Sequence, residues 1–130
     1  MAAIALDADV LIAFLDASDA QHQNAVGVLR PRLAAGARLL IAATVYAEIL
    51  VRPLQRGNDD TVDAFIAAIG ATVVPVDRDI ARRAAVLRGS HRALRLPDAI
   101  SLATALVAGA EILTLDRRLS KIADLERTHD

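Results

Sequence analysis

Apolar residues along the chain switch repeatedly between two rhythms. Ala3 to Leu6 is a short continuous run ending at Asp7, and Leu11, Ile12 and Leu15 then recur at helical spacing, so a strand passes directly into a helix. Asp7 and Asp9 sit at that junction. Ala25, Val26, Leu29 and Leu33 define the apolar face of a second helix, with Asp19 as its expected cap and Gly36 near its end, and Pro31 is expected to kink or divide it. Leu39 to Ala42 predicts a second strand. Thr44 is the expected cap of the next helix, which carries Val45, Ile49 and Leu50, holds Glu48 just over one turn in, and should bend or stop near Pro53.

The alternation continues to the end of the chain. Asn58 or Asp59 opens a helix with Val62, Phe65, Ile66 and Ile69 on one side, Gly70 ends it, and Thr72 to Val76 predicts a third strand. After Asp77, a helix from about Asp79 to Leu87 turns Ile80, Ala84 and Leu87 inward until Gly89 interrupts it. Pro97, at the first-turn position that proline prefers, opens a helix through about Ala108 and leaves Asp98 in its first turn. Glu111 to Leu115 predicts a fourth strand, Asp116 follows it, and a short helix runs to about Ala123. Strand and helix in regular succession predict an α/β fold with a parallel sheet and helices on both faces.

With 130 residues, 55% of them hydrophobic, the chain supports one domain over 1–130 and one site. Its apolar runs fall far short of the roughly 20 residues that span a bilayer, and no basic-then-apolar leader precedes them, so a cytoplasmic protein without membrane contact is expected. The absence of cysteine excludes disulfides and thiolate metal sites, and three scattered histidines argue against a zinc cluster. Carboxylates are the remaining ligands. The net charge of −1 divides into −3 over residues 1–70 and +2 over residues 71–130, which is no generic polycation. Nucleic-acid binding would therefore depend on local arginines and metal. Fourteen of the fifteen basic residues are arginine, which suits phosphate recognition, but the 28 accompanying alanines make genome composition the simpler source of that preference.

In an open parallel sheet, ligands bind beyond the carboxyl ends of the strands. Asp7 and Asp116 each follow a strand, and Asp98 and Glu48 lie in the first or second turns of helices that can begin at the same edge. Ionised carboxylates tolerate one another there only if they are solvated, partly protonated or neutralised by a cation. Magnesium suits such a site, because it prefers oxygen, keeps several waters and needs few carboxylates. Taken singly, each acid also has an ordinary role: Asp98 at a positive helix end, Asp7 and Asp116 in loops, Glu48 on a solvated helix surface, Asp9 as a cap.

The segments IALDADVLIAFLD (Ile4 to Asp16), IAATVYAEIL (Ile41 to Leu50), LPDAISLATAL (Leu96 to Leu106) and ILTLDRRL (Ile112 to Leu119) resemble the four acidic motifs of the PIN-domain ribonucleases. Within that family they look most like VapC, the toxin of bacterial type II toxin–antitoxin pairs. Order, spacing and length match over nearly the whole chain. The resemblance implies that Asp7, Asp98 and Asp116 bind Mg2+ or Mn2+, that Glu48 holds a second ion or orients a water on the metal, and that Thr114 supports Asp116. It also implies a central parallel sheet of four or five strands, although no fifth strand is visible near Asp124 to Arg127. Where the family usually has a small polar residue two positions after its first acid, this chain has Asp9, which adds negative charge and can alter metal number or affinity.

A metal-dependent endoribonuclease is the activity so implied, with a VapB-like antitoxin and a second copy of the chain as partners. The apolar surplus of a small domain points the same way. The helices over 19–35 and 44–54 are where an amphipathic antitoxin helix would dock, and an arginine from it would pair with the acids. Arg88, His91, Arg92 and Arg95 form the candidate contact with the RNA backbone. One tyrosine, two phenylalanines and no tryptophan leave few stacking platforms, which favours folded or looped RNA read through backbone and shape. Two other readings stand beside this one. Asp7-Ala8-Asp9 resembles the DxD start of haloacid-dehalogenase-type phosphatases, although Lys121 is the only lysine such an enzyme could use. The other reading is a metal-free PIN-like module that binds RNA or protein.

Overall fold

The computed structural model describes residues 2–129. Within them the alternation of the sequence becomes a layered α/β structure. Strands β1 (Ala3–Leu6), β2 (Arg38–Ala42), β3 (Thr72–Val74) and β4 (Glu111–Leu113) lie parallel in the order β3-β2-β1-β4. Around them run α1 (Ala8–Leu15), α2 (His22–Ala34), α3 (Ala43–Arg56), α4 (Asp59–Ala68), α5 (Arg78–Ser90), α6 (Leu96–Val107) and α7 (Arg117–His129). Side chains along a strand point alternately to opposite faces. Ile4, Leu6, Leu39 and Ile41 accordingly enter one core with Val10, Leu29, Val45 and Val62. Ala5 and Leu40 enter the other with Leu87, Leu102 and Leu119. Burial on both faces explains why β1 and β2 read as continuous apolar runs.

β1 is the axis of the sheet, with Leu6 opposite Leu113 of β4 and Ala5 opposite both Leu40 and Ile112. The amide of Asp7 prolongs the ladder by donating to the Leu113 carbonyl at 3.0 Å. Four parallel strands therefore end at one edge, and α1, α3 and α7 start from that edge or close to it.

Several boundaries differ from the sequence expectation. Asp19 stands ahead of α2, where its carboxylate accepts from the amide of Gln21 at 2.8 Å, and the helix begins at His22. α2 runs through Pro31, and α3 through Pro53 to a left-handed Gly57, because a proline removes one helical donor without preventing the apolar face around it from packing. Thr44 is not a cap: β2 passes into α3 without a loop, Ala42 takes the capping position, and the Thr44 hydroxyl is buried without a partner. β3 and β4 are two residues shorter than expected, so Asp116 lies three residues beyond its strand. α5 begins at Arg78 behind its cap Asp77 and continues past Gly89 to Ser90. The last helix is longer than expected and includes Asp124 to Arg127, where a fifth strand would have stood, because Leu119, Ile122 and Ala123 are drawn into the second core. Gly27 lies in the interior of α2, at a cost of about 1 kcal/mol relative to alanine. Among the described residues, no helix is long and apolar enough to cross a membrane.

Candidate active site

Each acid owes its position to an element boundary. Asp7 occupies the N-cap of α1, Asp9 lies in the first turn of that helix, Asp98 lies in the first turn of α6 behind Pro97, and Asp116 sits between β4 and α7. The Asp116 carboxylate caps α7 by accepting from the amides of Arg118 at 2.9 Å and Leu119 at 3.3 Å. Glu48 belongs to the second turn of α3.

Thr114 joins two of these regions. Its hydroxyl lies 2.9 Å from Asp7 Oδ2 and 3.1 Å from Asp9 Oδ2, and it accepts from the amide of Asp116 at 3.1 Å. One hydroxyl proton thus serves two carboxylates. The sequence expectation gave Thr114 to Asp116; the structure gives its proton to the acids of α1 and only its lone pair to the Asp116 backbone. Asp9 likewise reaches across the edge, accepting from the Leu115 amide at 3.0 Å, so its carboxylate anchors the segment after β4.

The field at this edge is strongly negative. Burial, then the charge of Asp9, push Asp7 up to about 6; hydrogen bonds from Thr114 and Ala8 oppose the rise and Asp98 adds to it. Burial also raises Asp9, with Asp116 contributing, and raises Glu48, with Asp98 and Asp9 contributing and Arg95 opposing. All five acids are therefore electrostatically coupled. They do not form a ready cage, since among the described residues no group of three or more carboxyl or imidazole side chains is arranged to hold a metal ion.

The sequence from residue 4 to residue 125 matches the PIN domain family model. The chain belongs to the PIN domain family. That membership replaces the phosphatase reading of Asp7-Ala8-Asp9. No curated protein matches the sequence significantly. Among solved structures, the chain resembles a toxin–antitoxin complex from Klebsiella pneumoniae, with 24% identity over 87% of this chain and 86% of that one and a TM-score of 0.69. It also resembles VapC20 of Mycobacterium tuberculosis, described as a sarcin–ricin-loop-cleaving toxin, with 21% identity, coverage of 91% and 93% and a TM-score of 0.71. VapBC2 of Rickettsia felis, bound to a DNA fragment from its promoter, is similar at 14% identity, 92% coverage of each chain and a TM-score of 0.71. These likenesses establish the fold.

In this PIN domain the basic stretch expected to meet RNA is divided by its contacts. Arg95 stands beside the acids, its Nε 3.8 Å from Asp98 Oδ2 and its side chain 82% exposed. His91 is instead paired with Glu126 of α7 at 2.7 Å, and Arg88 donates to the Arg92 carbonyl at 3.3 Å, closing the turn after α5. An open cleft of about 1160 Å³ adjoins the acids and shares Asp9, Thr114 and Asp116 with them. Its other wall includes Gln21, Asn24 and Gly27 of the α2 region, and Arg117 stands at the start of α7. Periodicity does not reveal these residues.

Proposed function

We propose that this PIN domain is a metal-dependent endoribonuclease that acts in the cytoplasm as the toxin of a toxin–antitoxin pair. The observation that carries the reading is the convergence of five coupled carboxylates at one sheet edge, with Asp7 raised to about 6 by burial and like charge. The likeness to a toxin that cleaves the sarcin–ricin loop supports RNA as the substrate.

The donor set fits Mg2+ or Mn2+ in its chemistry. It is made of oxygen alone, and Asp9 Oδ1 is buried without a hydrogen-bond partner. Magnesium binds through as few as one or two carboxylates with the remainder water, so a cage of three is not required. One or two of Asp7, Asp98 and Asp116 would hold the ion, with water completing its shell and Glu48 nearby. Bound there, the ion supplies water acidified towards neutrality and offsets the negative charge that grows on the phosphate oxygens. Thr114 fixes the rotamer of Asp7. Glu48, raised by burial and by Asp98, takes a proton from the attacking water. Arg95, exposed at the rim, pairs with an RNA phosphate.

Purified protein given structured RNA and manganese should cleave it, and EDTA should abolish cleavage; undiminished cleavage after thorough chelation would overturn the mechanism. The antitoxin and homodimer are part of the proposal. Val51 and Leu54 of α3 and Ile12 and Leu15 of α1 are exposed apolar residues that a partner helix or a second copy would cover. Light scattering of the chain, alone and with the product of the adjacent upstream reading frame, should give a dimer and a larger complex. A strict monomer that never forms a complex would overturn both.

A further inference from the structure

Gly27 has no structural reason to be glycine. It lies inside α2 without the positive φ that marks Gly36, Gly57, Gly70 and Gly109, and a Cβ built on it would meet nothing within 4 Å. Neither the backbone nor the packing needs the missing side chain, yet the helix bears the entropic cost of it. What the glycine does is leave the backbone of α2 bare on the wall of the cleft that joins the acids.

The rest of the wall has a definite chemistry. Asn24 Nδ2 donates to Gln21 Oε1 at 2.7 Å, which ties together two amides at the start of α2, Asn24 about one turn before Gly27. Amides present donors and acceptors together, the combination that reads the edge of a base. Arg117 also lines the cleft, in the first turn of α7 directly after the cap Asp116, and it is the cation among the lining carboxylates Asp9, Asp19 and Asp116. A guanidinium at that position suits a phosphate. No aromatic ring lines the cleft, so a base entering it has the bare helix at Gly27 to lie against rather than a stacking partner.

We infer that this cleft seats one unstacked nucleotide of the RNA next to the scissile bond, its base against Gly27 and the Gln21–Asn24 amides and its phosphate on Arg117. The inference rests on the nuclease reading and deepens it, making α2 the element that selects the cleavage sequence. An exposed single-stranded loop is the class of substrate that offers such a base.

The test uses full-length protein and a pool of RNA hairpins with randomised loops, with cut ends sequenced after brief exposure in manganese. Asn24→Ala should relax the base preference beside the cut by about tenfold while total cleavage changes far less. Gly27→Leu should lower cleavage of the whole pool by about tenfold or more while melting at or above the wild-type temperature, and Gly27→Ala should do so more mildly. Arg117→Ala should weaken binding to all sequences alike and reduce the salt slope by about one. A wild-type chain that cuts none of the pool defeats the nuclease reading and this assignment with it. A wild-type chain that cuts with a preference left unchanged by Asn24→Ala and Gly27→Leu overturns the assignment alone. So does a result in which Gly27→Leu blocks only complex formation with the antitoxin, since the cleft then belongs to a protein.

Discussion

Thr114 Oγ1 lies 2.9 Å from Asp7 Oδ2, a contact between residues 107 positions apart in the chain. It places the hydroxyl proton of one strand end on the buried carboxylate of another. Thr114→Val keeps the shape and removes the donor, so the metal-free protein should lose about 1–3 kcal/mol, the cost of an unsatisfied buried polar group. Urea unfolding measures this, and Thr114→Ser should restore most of the loss. A valine variant as stable as the wild type would show that the bond does not support the fold.

Stability should also depend on pH through Asp7. Its carboxyl is raised from 3.8 to about 6 in the folded chain, so between those values the native state holds the proton more tightly than the unfolded state does. The stabilisation is fully present below pH 4, falls as pH rises through 6, and amounts to about 3 kcal/mol. Unfolding free energy in EDTA, measured from pH 4 to pH 7, should fall accordingly. Asp7→Asn should flatten much of the slope and leave the smaller part due to Asp9.

Asp98 contributes charge to both Asp7 and Glu48. Asp98→Asn should abolish cleavage while the metal-free variant melts at the wild-type temperature or slightly higher, because one of several like charges is gone. A clear fall in melting temperature would make Asp98 a structural residue.

Arg95 opposes the rise of the Glu48 carboxyl. Removing it in Arg95→Ala should shift the acid limb of the cleavage profile to higher pH. If Arg95 also pairs with a phosphate, the salt slope of RNA binding should fall by about one. A pH profile and a salt slope both unchanged would remove Arg95 from the site.

His91 is joined to Glu126 on α7 and is only 21% exposed. His91→Ala should therefore destabilise the chain, by about 1 kcal/mol, while leaving RNA binding by the folded protein intact. Weaker RNA binding at unchanged stability would return His91 to the RNA surface.

The sheet and helices were legible because their faces alternate with clear periods: Ile4, Ala5 and Leu6 belong to a strand buried on both sides, and Ile80, Ala84 and Leu87 follow one helical stripe. Asp7, Asp98 and Asp116 were legible because strand ends and a proline mark where they must stand. The hydroxyl of Thr44 was misread because capping propensity is local, and the direct passage of β2 into α3 left no position for a cap. The division of Arg95 from His91 was hidden, since it depends on Glu126, 35 residues from His91. Asp9 was legible as a departure from the family pattern, but its anchoring of Leu115 is tertiary.

The central position of β1 bears on the order in which the protein is made. Among the described strands, β1 leaves the ribosome before both of its neighbours, pairing with β2 on one side and waiting for β4 on the other. Until residues 111–116 emerge, Asp7 and Asp9 lack Thr114 and Asp116 beside them. The carboxylate cluster is therefore incomplete until residues 111–116 have been made and β4 has joined the sheet.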